Sequence, residues 1–198
     1  MKIIIGLGNP GKKFEKTRHN LGSKTLDYIC ENLGSFEKWF VNKKTDSLIC
    51  RGNIGNEKII LAKPQTFMNL SGQAAKKLLA FYKIKSLDDL LVIHDDFDLP
   101  LGIIRISKNA SAAGHKGVKS IIEELGSKNF YRLRLGIYPI GQTFKEVHFK
   151  KVASIEKFVL KRFAKNELFL VKKTIKKAGQ AAETAIKESP ETAMNKFN

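Results

Sequence analysis

The chain has 198 residues, 42% of them hydrophobic, enough to bury a core without disulfide or metal staples. Its 36 Lys and Arg against 19 Asp and Glu give a formal charge of +17, which makes a polyanion such as nucleic acid the first partner to test against a merely lysine-rich surface. The opening isoleucine run is too short for a signal peptide and no stretch approaches the roughly 18 apolar residues of a membrane span, so a soluble, cytoplasmic protein with no membrane association is expected.

Residues 2–6 read as a buried strand that runs into "GLGNPG", a letter-for-letter fit to the G-x-G-x-x-G dinucleotide fingerprint. The context fails it: Pro10 removes a backbone donor from the cradle, and "KKFEKTRHN" has no apolar stripe for an immediate helix. The next element, 21–33, reads as a helix through Leu26, Ile29, Cys30 and Leu33, stopped by Gly34, where the fingerprint wants a strand. Residues 47–52 and 58–63 form a hairpin around "NIGNEK"; a helix follows over 71–83, then strands at 90–94 and 103–107, a helix over 116–125 stopped by Gly126, and a strand at 132–138. The segment 139–154 is the least patterned and is a candidate mobile lid. From 166 to 189 the apolar positions Leu168, Val171, Ile175, Ala178, Ala182 and Ala185 predict one long amphipathic helix with a basic outer face. The expected fold is a single α/β domain over 1–198, a twisted mixed β-sheet covered by helices. Cys30 and Cys50 have no ligand spacing and read as reduced packing residues.

Four polar clusters fall at strand ends, where open α/β sheets place their sites: Asn9 with His19, "TFMNLSG", "HDDFDLP" and "SAAGHKG". No serine sits in a G-x-S-x-G elbow and neither cysteine has a nucleophile's setting, so covalent catalysis is not expected. What remains is a histidine that an aspartate can hold, flanked by asparagine amides, the inventory for activating water and stabilising an oxyanion. "HDDFDLP" lacks metal-ligand spacing, so no metal or other cofactor is expected. His94 reads as a hydrogen-bonded core residue and His148 as solvated.

"GLGNPG", "TRHN", "TFMNLSG", "HDDFDLP", "GHKG" and "RLRLGI" occur in the order and near the spacing of bacterial-type peptidyl-tRNA hydrolases, which the chain resembles from residue 2 to about 163. That resemblance implies the family's fold, peptidyl-tRNA as substrate, and a monomeric enzyme needing no metal. It further implies His19 as general base and Asp95 as the carboxylate that orients it. Asn9, Phe14, Phe67, Met68, Asn69 and Lys116 would bind substrate, with core packing expected for Phe67. Arg134, with Arg105 or Lys108, would grip the terminal phosphate of the tRNA, since arginine holds phosphate through two parallel bonds.

Four departures from the family stand out. Lys116 occupies a substrate-binding asparagine's place, Ser107 a phosphate-binding lysine's, and Phe14 a tyrosine's, while 139–154 is several residues longer. An ammonium donates but cannot accept, so Lys116 loses half of an amide's bonding capacity. These changes keep a second class open, a catalytically weakened RNA-binding relative such as the plant chloroplast splicing factors of this fold, which intact Asn9, His19, Asn69 and Asp95 argue against.

Overall fold

Ile3, Ile4 and Ile5 are each fully buried, so strand β1 (Lys2–Gly6) is covered on both faces, which is why it reads as a continuous apolar run. The computed structural model describes residues 1–138 and 152–198. In it β1 lies in the middle of a mixed sheet, parallel to β5 (Glu57–Pro64) on one side and β6 (Leu90–Pro100) on the other. β8 (Tyr131–Tyr138) pairs parallel with β6. Antiparallel strands close both ends: β4 (Ser47–Ile54) on β5, with the short β2 (Ser35–Phe36) and β3 (Phe40–Asn42) on β4, and β7 (Ile104–Lys108) on β8.

The period-2 alternation of the strands sorts the core into two layers. Ile4, Ile93, Leu133 and Leu135 pack with α1 (Leu21–Asn32), α5 (Leu168–Lys187) and α6 (Pro190–Phe197). Ile3, Ile5 and Val92 pack with α2 (Ser71–Phe81) and α3 (Lys116–Leu125). One further helix, α4 (Val152–Val159), stands beside the cleft described below. Close packing requires glycine at two positions: a Cβ on Gly22 would meet the Ile93 carbonyl at 2.2 Å, and one on Gly6 the Gly22 carbonyl at 2.6 Å. Helix α1 therefore crosses the sheet backbone to backbone, and it opens at Leu21 rather than at Gly11.

The hairpin and the helix over 116–125 lie where the sequence predicts them. β6 runs six residues further than expected, to Pro100, and β2, β3, α4 and α6 were not anticipated. The single helix expected over 166–189 is instead a 3-10 turn at Lys165–Glu167, then α5, then a break. Ser189 makes that break by accepting from the Thr192 N–H at 3.0 Å, with Pro190 at the first position of α6, where its missing donor costs nothing. Leu168, assigned to the buried stripe, is 47% exposed in the first turn of α5. The lid segment lies outside the described residues except for its last three, which open α4; His148 is also outside them. Among the described residues no helix is long and apolar enough to cross a membrane.

Candidate active site

A cavity of about 640 Å³ opens at the carboxyl ends of β1 and β6, between the β1–α1 connection, the start of α3 and α4. The end of β6 brings Asp95, Asp96, Phe97 and Asp98 to it. Asp95 points with Ile93 toward α1, and there its carboxylate meets His19, which sits in a 3-10 turn just before that helix. His19 Nδ1 lies 2.9 and 3.0 Å from the two Asp95 oxygens. An ionised carboxylate only accepts, so Nδ1 carries the proton and Nε2 is left as a lone pair for the cavity.

Asp95 has a second imidazole partner, His115, whose Nε2 is 3.1 Å from Oδ1. The tautomer of His115 is set by its other nitrogen: Nδ1 accepts from the N–H groups of Gly117 and Val118 at 3.1 and 3.2 Å, capping α3, so Nε2 must be the donor to Asp95. His94 completes the cluster, its ring centroid 4.7 Å from that of His115, which in turn is 4.8 Å from His19. As expected, His94 is a hydrogen-bonded core residue, its Nδ1 donating to the Asp95 carbonyl at 2.8 Å.

Burial disfavours charge on every member, and the neighbours decide the outcome. Asp95, 2% exposed, would be raised by burial, but His19 and His115 outweigh that and hold it well below the usual carboxylate range. Burial pulls His19 down, yet the charge and hydrogen bond of Asp95 win and leave it above its ordinary value; Lys116 pulls weakly the other way. His94, buried and beside His115, is pushed well below the imidazole range and stays neutral. His19, Asp95 and His115 also offer three metal-ligand atoms within 4.8 Å of one another. They do not suit an ion, because His115 Nε2 is protonated by the capping of α3 and the lone pair of Nδ1 is already shared by two backbone donors.

Asn9 is locked from both ends of the residue. Its N–H donates to Asn20 Oδ1 and its carbonyl accepts from Asn20 Nδ2, both at 2.9 Å, while its own Oδ1 accepts from the Met68 N–H at 2.9 Å. That last bond fixes the amide's orientation and leaves Nδ2 as the donor. Phe14, Phe67, Asn69 and Lys116 line the same cavity. Phe67, expected in the core, is 58% exposed on the rim because the 3-10 turn at Met68–Leu70 turns Met68 inward in its place. Lys116, the first residue of α3, reaches across the opening to Glu156 on α4, with Nζ to Oε1 at 2.8 Å.

The basic residues assigned to phosphate divide. Arg105 and Arg134 stand opposite each other in the β7–β8 register, Arg134 donating through Nε to Asp96 at 2.6 Å and Arg105 to the Asn198 main-chain carbonyl. Lys108 pairs with Asp88 at 2.6 Å and lies level with Leu91 through Tyr131, four residues along β6 from Asp95, at the end of the sheet away from the cavity. Arg132 shares the face of Arg134 as alternation requires, but it is buried and holds the carbonyls of Ala110 and Ser111, fastening the loop that leads to His115.

Sequence reasoning missed one member of the cluster and one residue that supports the turn beside it. His115 is one letter of "GHKG", and its role shows only once α3 is seen to begin on it. Arg18 grips both oxygens of Glu167 at 3.1 and 2.7 Å while lying between the rings of Phe158 and Phe163. No local pattern links residues 149 apart.

The family model described as "Peptidyl-tRNA hydrolase" matches residues 3–198. A peptidyl-tRNA hydrolase of Desulforamulus reducens is 44% identical over 199 residues, covering all of this chain and 89% of the relative. One of Aquifex aeolicus is 42% identical over 201 residues, covering all of this chain and 96% of the relative. The crystal structure of peptidyl-tRNA hydrolase from Acinetobacter baumannii superimposes with a TM-score of 0.88 at 29% identity, over all of this chain and 94% of that one.

Proposed function

We propose, from the premise that this chain belongs to the peptidyl-tRNA hydrolase family and hydrolyses the ester between peptide and tRNA in peptidyl-tRNA, that His19 is the base which activates the attacking water. The observation that carries this is the His19–Asp95 pair at 2.9 Å, with the other ring nitrogen left to the cavity. In this reading a water held between His19 Nε2 and Asn69 gives its proton to Nε2 as it attacks the ester carbonyl. The charge that develops on the carbonyl oxygen is met by the Nδ2 amide of Asn9, oriented in advance by Met68. Collapse of the tetrahedral intermediate breaks the bond to the sugar oxygen, which takes the proton back from the imidazolium. Asp95 holds the tautomer throughout and stabilises the imidazolium while it lasts.

No metal or cofactor enters these steps. Lys116 donates to the peptide end of the substrate once it leaves Glu156, Phe14 and Phe67 give that end apolar surface, and Met68 packs beneath it. Arg134, with Arg105 opposite, takes the terminal phosphate of the tRNA; the position of Lys108 argues for leaving it out of that clamp.

His19→Ala, assayed by single-turnover cleavage beside equilibrium tRNA binding, should lose at least about 10³-fold in the chemical step with affinity nearly intact. Equal loss of both would make His19 a structural residue and sink the mechanism.

A further inference from the structure

Outside the lining of the cleft, two thiols meet beside the outer strands of the sheet. Cys30 lies in the last turn of α1 and Cys50 on β4, 20 residues apart in sequence, and their sulfurs are 3.0 Å from each other. Both sulfurs also lie near the Glu37 carbonyl, Cys50 at 3.0 Å and Cys30 at 3.9 Å. Cys30 is partly exposed and Cys50 is buried. The residues that build the cleft do not use either thiol. A disulfide holds its sulfurs about 2 Å apart, so this pair has about 1 Å to close.

We propose that Cys30 and Cys50 are an oxidisable pair that closes to an intramolecular disulfide when the protein meets a low-molecular-weight disulfide, stapling the sheet edge and leaving catalysis untouched. The reaction is two exchanges. The Cys30 thiolate, formed by losing its proton to solvent, attacks the external disulfide, forming a mixed disulfide and expelling one small thiolate. Cys50 then loses its proton and attacks the Cys30 sulfur, expelling the second small thiolate. The protein is oxidised by two electrons, the external disulfide is reduced to two thiols, and the two protons end on them. Exposure makes Cys30 the first to react. Burial, reinforced by Cys30 itself, pushes the Cys50 thiol up to about 12, so the second exchange is the slower and quickens with pH.

The loop so closed, 30–50, contains β2 and β3, the outermost strands beside β4, while Asn9, His19, Asn69 and Asp95 lie outside it. Constraint of the unfolded chain by a loop of this size should raise the thermal midpoint by about 5–10 °C.

The test incubates the full chain and its Cys30→Ser and Cys50→Ser variants with oxidised glutathione at mildly alkaline pH. Readouts are intact mass, titration of thiols after denaturation, thermal midpoint and peptidyl-tRNA cleavage. The wild type should lose two hydrogens, retain no glutathione, show no titratable thiol, gain the midpoint shift reversibly with dithiothreitol, and keep its activity. Cys50→Ser should stop with one glutathione on Cys30, and Cys30→Ser should stay unmodified. A wild type that retains glutathione, keeps both thiols titratable, or closes with a lowered midpoint would overturn the proposal, and the wild-type result decides even if a variant folds poorly.

Discussion

Arg18 and His19 are neighbours in the chain, and each is buried with a carboxylate partner, yet the two pairs are built to opposite ends. Glu167 spends both oxygens on the Arg18 guanidinium, and one of them also accepts the Ala164 N–H; two aromatic rings cover the guanidinium. In the His19–Asp95 pair only one ring nitrogen is bonded, and the other faces a cavity. The first pair turns no lone pair to the cavity, and the Arg18 Nε is buried without a partner among the described residues; the pair fastens the turn before α1 to the 158–167 segment. The second keeps one lone pair unspent, and that lone pair is what chemistry requires. The same contrast recurs along β6, where Asp95 serves the histidines and Asp96 is taken up by Arg134 and the Asp98 N–H.

The sharpest way to break this contrast is to remove one partner from each pair. Glu167→Ala strands a buried guanidinium and should cost about 3–5 kcal/mol of stability by chemical denaturation. Its turnover per folded molecule should stay within a few-fold of wild type, and a fall as deep as that of His19→Ala would show that the two pairs are not separate in function. Asp95→Asn should do the reverse, lowering single-turnover cleavage by about 10²-fold, because an amide can hold the wrong imidazole tautomer in place. If cleavage survived at the wild-type rate, the carboxylate would not be orienting the base.

Arg134→Ala sharpens the comparison at Asp96. If the guanidinium is shared with phosphate rather than spent on the aspartate, the slope of log tRNA affinity against log salt should fall by about one unit or somewhat less; an unchanged slope removes the clamp. The smallest effect belongs to Lys116→Asn. Cleavage needs neutral His19, so it rises with pH through an ionisation that Asp95 sets above the ordinary imidazole value of about 6.5 and Lys116 pulls slightly back. Removing that cation should move the acid limb of the pH–rate profile further up, and a downward movement would mean that Lys116 does not face the base.

Strands and helices with a strong period were legible because burial imposes that period: three successive isoleucines mark a strand covered twice, and Val118 and Ile121 mark the inner face of α3. β2 and β3 are two and three residues long, too short to carry any period. The break between α5 and α6 is set by Ser189 and Pro190, a capping signal that a stripe ending at Ala185 does not contain. The candidate site was legible through motifs in register, which named Asn9, His19 and Asp95 one by one. It was not legible as a network, because Asp95 bonding two histidines, Arg132 buried under its loop, and Glu167 meeting Arg18 all depend on tertiary placement.

Three of the bonds around the cleft span long stretches of sequence: 59 residues separate Asn9 from Met68, 76 separate His19 from Asp95, and 149 separate Arg18 from Glu167. Such contacts close large loops and form after local ones during folding. Helix content and the β4–β5 hairpin should therefore return early when the denatured chain is diluted into buffer, with hydrolysis recovering only after the last of these loops has closed. Recovered activity would then clock the completion of the fold, a finer gauge of the native state than circular dichroism.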